Sequence, residues 1–125
     1  MNWRPLKLLA VILIAVNAVS VGTSARSAVH PTGEEFINLC NATTADNDGE
    51  ERFIRCEKLV QETRRLLATS PIHGIRACVP KKVSDLKLIF TAIHWLDDNP
   101  QGRIMESDEV LARAFSENWP CIAEG

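Results

Sequence analysis

No stretch of this chain is apolar for long enough to cross a membrane as a helix. The longest apolar run, Leu8 to Val21, is about 14 residues, where a span needs about 20. There is no basic cluster either. Arg64-Arg65 and Lys81-Lys82 are isolated pairs, which argues against nucleic acid or an anionic membrane surface as a partner. Gly-x-Ser-x-Gly, a Walker-type loop and His-Glu-x-x-His are all missing, so the common hydrolase, nucleotide and zinc-protease signatures are excluded. The chain has no internal repeat and no low-complexity tract.

What the amino terminus does have is a basic start, an apolar middle and a run of small residues. Arg4 and Lys7 precede Leu8–Val21, and Thr23, Ala25 and Ser27 follow. That is the layout of a secretory signal peptide. Residues 1–27 are expected to be the leader, with cleavage after Ala25 or Ser27. No cysteine lies near that region for lipid attachment; Cys40 is too far downstream. With cleavage after Ala25, loss of Arg4 and Lys7 takes the 14 basic side chains to 12 against 16 acidic ones, a formal charge of about −4. The remainder is one small domain, 30–122, with a modest core.

All four cysteines fall in that domain. An even number in an exported chain reads as disulfides. The expected localisation is the periplasm.

The fold class is all-α, a small four-helix bundle with room for a fifth short turn. A first helix starts at Thr32, with Glu35 three residues on as a capping box, and stops near Asn41. A second runs from Glu50 to about Ala68, with Phe53, Cys56, Val60 and Leu67 near helical spacing and Leu59 and Leu66 widening the stripe. A third begins at the N-cap Ser84. Leu86, Ile89, Phe90, Ile93 and Leu96 recur at i, i+3, i+4, i+7 and i+10 as its buried face. Asn99-Pro100-Gln101-Gly102 ends it. Ser107 is expected to cap a fourth helix carrying Val110, Leu111, Ala114 and Phe115.

Short connections make neighbouring helices antiparallel. The end of the first helix, Cys40, then lies beside Cys56, and Cys78 lies beside Cys121. This favours the pairing 40–56 and 78–121 over 40–78 with 56–121 and over 40–121 with 56–78. Such bridges close loops of about 17 and 44 residues and contribute roughly 3–4 kcal/mol each in the chain-entropy model.

The chemistry-bearing residues form no catalytic set. Asp46-Asn47-Asp48-Gly49 invites a calcium loop, but with Gly49 in sixth place the twelfth position is Arg55, where a bidentate carboxylate is required. His94 and Asp98 stand one helical turn apart, and two ligands make a poor metal site. His30 and His73 are lone histidines. Asn41-Ala42-Thr43 is a glycosylation sequon, relevant only where the host glycosylates. No enzymatic activity, metal or cofactor is expected; a binding role is.

Cys78-Val79-Pro80-Lys81-Lys82-Val83, then Leu86, His94-Trp95-Leu96, Asn99-Pro100, Ala112, Ala114-Phe115 and Trp119-Pro120-Cys121 resemble the Rap/Tai family of type VI secretion immunity proteins. The resemblance covers roughly 33–121 and is specific in the stretch from Cys78 to Cys121. One departure is the run Glu57-Lys58-Leu59 after Cys56, where many members have glycines. The resemblance implies binding and inhibition of a peptidoglycan amidase effector in the periplasm; a homodimer is expected by analogy. The connection Asn99–Glu106 makes Asn99, Gln101 and Arg103 candidate partner-binding residues. Trp95, off the main stripe, is either core or an anchor. Competing readings are a diverged member with another partner, a periplasmic acid-stress chaperone, and a small enzyme or metal carrier.

Overall fold

The computed structural model describes residues 30–122; the expected leader, 1–27, lies outside them. Four α-helices follow one another: α1 Gly33–Cys40, α2 Gly49–Leu67, α3 Asp85–Asp98 and α4 Ser107–Asn118, with a 3-10 turn at Pro100–Ile104 between the last two. Among the described residues no helix is long and apolar enough to cross a membrane.

The helix starts follow from local chemistry. Thr32 Oγ1 accepts from the Glu35 amide at 3.2 Å, and Glu35 Oε2 accepts from the Thr32 amide at 2.9 Å, which satisfies two otherwise orphaned donors. Ser84 Oγ accepts from the Lys87 amide at 3.1 Å. In the acidic turn before α2, Arg52 pairs with both Asp46 and Asp48, at 3.9 and 3.8 Å.

Ser107 does not cap α4. The N-cap is Glu106, and Ser107 is buried as the first helical residue. The reason lies in the opposite segment. Thr32 and Glu106 form an antiparallel bridge in which Ser107 N donates to Pro31 O at 2.7 Å and Gly33 N to Met105 O at 2.9 Å. The bridge ends at 106, so the helix starts at Ser107, one residue earlier than expected, and Ser107 turns inward.

One core joins all four helices. Phe36, Val60, Leu88, Leu96, Val110, Leu111 and Phe115 are fully buried within it. α2 buries Cys56, Val60, Thr63 and Leu67, close to the expected stripe. On α3 the expected phase is wrong. Ile89 and Leu96 are buried, but Leu86 and Phe90 are 52% and 51% exposed, and Leu88, Ala92 and Trp95 take their place. The buried arc is turned by one residue, about 100°. α3 packs against both α2 and α4, and the sequence Leu-Lys-Leu-Ile-Phe-Thr-Ala-Ile is apolar all round, so small Ala92 and Thr91 can face the crowded side.

The cysteines pair as 40–56 and 78–121, with Cα atoms 5.2 and 4.9 Å apart. The second bridge is reinforced by Cys78 N donating to Trp119 O at 2.8 Å. Between Cys78 and α3 the chain is held by Arg64 of α2. Its guanidinium donates to the carbonyls of Pro80 at 2.7 Å, Lys81 at 2.9 Å and Val83.

Candidate partner-binding face

The connection from α3 to α4 is built around one glycine, Gly102. Asn99 caps α3, its amide side chain donating back to Trp95 O at 2.8 Å. Pro100 sits at the start of the 3-10 turn, where its fixed φ costs nothing. Gly102 is buried against the Trp95 ring, and a Cβ there would stand 2.7 Å from Trp95 Cζ3. Because the turn is pinned through Gly102, its other residues point outward. Gln101 is exposed and Ile104 is 87% exposed. Arg103 is half-buried and ion-paired with Glu34 of α1.

Trp95 is therefore core rather than a surface anchor. It is 7% exposed, and its Nε1 has no hydrogen-bond partner. It falls inward because the whole of α3 is rotated relative to the expected stripe. The side chain that stands out in its neighbourhood is Ile104, which the sequence reading missed. An isolated isoleucine in a turn carries no periodic signal; only the inward tuck of Gly102 shows which way it points.

A second surface is an open groove of roughly 630 Å³ along α1 and α2. Leu39 and Leu59 line it together with Arg55, Lys58 and Arg65. Its one carboxylate, Glu62, is ion-paired with Arg65, whose hydrogen bond holds the carboxyl below its usual range. A fully exposed carboxylate kept ionised this way is unsuited to general acid chemistry.

The histidines divide. His94 is exposed on α3. His30 and His73, distant in sequence, converge on Asp108 at the start of α4. His73 Nε2 lies 3.2 Å from both Asp108 oxygens and 3.5 Å from Glu106 Oε2, and His30 Nε2 lies 3.8 Å from Asp108 Oδ2. No spacing rule links residues 30, 73, 106 and 108.

A family model described as Rap1a immunity proteins matches residues 32–121, nearly the whole described domain. Comparison with curated proteins and with solved structures finds no match. The matched span starts at the Thr32 cap of α1 and closes on Cys121, so it contains both disulfides and the α3–α4 connection. The chain belongs to the family of Rap1a immunity proteins.

Proposed function

We propose that this protein is a periplasmic antagonist that binds a peptidoglycan amidase delivered by type VI secretion and blocks its active-site cleft. The observation that carries this reading is the family match across residues 32–121. The architecture suits the task. A resident inhibitor has to persist in an oxidising compartment and present a surface that loses little entropy on docking. Two disulfides frame the bundle, and none of the described cysteines is free.

The docking surface is the α3–α4 connection. Ile104 supplies an exposed apolar tip, Gln101 an adaptable polar contact, and Asn99 and Arg103 the polar rim. An apolar anchor surrounded by hydrogen-bonding groups is the arrangement that concentrates binding energy in few residues.

The test starts with the neighbouring genes, where a cell-wall amidase is expected. The two mature proteins are co-purified, and lysis is scored when both are exported to the periplasm. Stable association and protection are expected. Ile104→Glu should lose both while the circular dichroism and melting temperature stay unchanged. An adjacent amidase that neither binds nor is neutralised rules the proposal out. Sedimentation at two concentrations tests the homodimer.

A further inference from the structure

We propose that His73, Glu106 and Asp108, with His30 beside them, form a zinc-binding site at the junction of the amino-terminal strap, the α2–α3 linker and the start of α4. The donor atoms of His73, Glu106 and Asp108 all lie within 4.8 Å of one another. In a tetrahedral zinc site with bonds of about 2.0–2.1 Å, neighbouring donors stand roughly 3.3 Å apart. His73 Nε2 is 3.2 Å from Asp108 Oδ1 and 3.5 Å from Glu106 Oε2, so two edges of that tetrahedron already have the right length. His30 Nε2 lies 3.8 Å from the other carboxylate oxygen, Asp108 Oδ2, beside the three-residue donor set rather than within it.

The fold goes to some length to hold His73 there. Ile72 and Ile75 exchange backbone hydrogen bonds at 3.0 and 2.8 Å around a two-residue turn, His73-Gly74, with φ of 48° and 74°. Positive φ at both central positions is the requirement of a type I′ turn. Glycine meets it freely, whereas a histidine in the left-handed region is uncommon. This tight turn brings the imidazole against Asp108. Asp108 is itself oriented, Oδ1 accepting from the Glu109 amide at 2.7 Å. Glu106 is positioned by the Thr32–Glu106 bridge, the same bridge that draws the strap carrying His30 onto the start of α4.

The donor chemistry selects the metal. An imidazole and two carboxylates, with a second imidazole beside them, suit zinc among the common divalent cations, while magnesium and calcium favour all-oxygen sets. All cysteines of the domain are committed to disulfides, so an imidazole–carboxylate set is the kind of transition-metal site open to it. A bound cation would cross-link the α2–α3 linker to the start of α4, a junction that neither disulfide spans.

The experiment uses the untagged protein as the producing cell processes it, stripped with chelator and titrated with zinc chloride by calorimetry, with metal content read by mass spectrometry. One zinc per chain and a zinc-dependent rise in melting temperature, reversed by chelator, are expected. His73→Asn tolerates the left-handed turn but removes the ligand. It should weaken binding by more than the roughly 10–100-fold that loss of a mere supporting partner costs. Asp108→Asn and His30→Gln should weaken it too, and His94→Asn should not. Glu106→Gln, at an exposed position, carries the same expectation should the turn variant misfold. Absence of saturable uptake, or uptake that His73→Asn and Glu106→Gln both leave intact, overturns the proposal.

Discussion

Gly33 and Gly102 meet backbone to backbone: a Cβ on Gly33 would stand 2.2 Å from the carbonyl oxygen of Gly102. The first turn of α1 and the α3–α4 connection can touch this closely because Gly33 carries no side chain, while a Cβ on Gly102 would instead meet Trp95 and Leu96 of α3. Beside this contact Arg103 pairs with Glu34, and Trp95 closes over Gly102. The presentation of Ile104 depends on this junction.

Gly33→Ala should therefore destabilise the domain by about 1–3 kcal/mol, the usual cost of overpacking. Its larger effect should be on the connection. Amide exchange at residues 100–106 is expected to accelerate more than exchange in α2, which nuclear magnetic resonance can measure residue by residue.

Removing the Cys78–Cys121 bridge with the paired Cys78→Ser and Cys121→Ser substitutions should cost about 4 kcal/mol, against about 3 kcal/mol for Cys40→Ser with Cys56→Ser. The longer loop loses more entropy on closure. Urea denaturation of the two variants, compared at matched slope, checks the ordering.

The rotation of α3 makes a paired prediction. Leu88→Ala, at a fully buried position, should cost about 2–5 kcal/mol. Leu86→Ala, about half exposed, should stay within roughly 0.5 kcal/mol. The phase expected from periodicity reverses the two, so thermal melts of both variants discriminate between the phases.

Arg64 ties the loop after Cys78 to α2 through three backbone carbonyls. Arg64→Ala should cost about 1.5–3 kcal/mol, in the range of hydrogen bonds to a charged group. Arg64→Lys should recover little, because an ammonium cannot reproduce the planar fork. Chemical denaturation of both variants, with proteolysis near Lys81-Lys82 as a local readout, tests this.

Much of this architecture was legible from local signals. Thr32 and Glu35 announce α1, Ser84 announces α3, and Asn99-Pro100 ends it, because caps and breakers act within one turn of chain. The pairing of Cys40 with Cys56 and of Cys78 with Cys121 followed from helix direction and short loops. What could not be read has a common cause. The phase of α3, the inward Trp95 and the inward Ser107 depend on which neighbour crowds which side, and an all-round apolar helix does not encode that in its period. The outward Ile104 depends on Gly102 being swallowed by the core. The cluster at Asp108 gathers residues from three segments that no motif spans. The sequence by itself determined the order of the helices and the family and favoured the disulfide pairing, since each rests on short-range geometry or contiguous pattern. Only the tertiary structure decided which side chains stand outward and which histidines meet carboxylates, because packing of distant segments sets the direction of every side chain at their contacts.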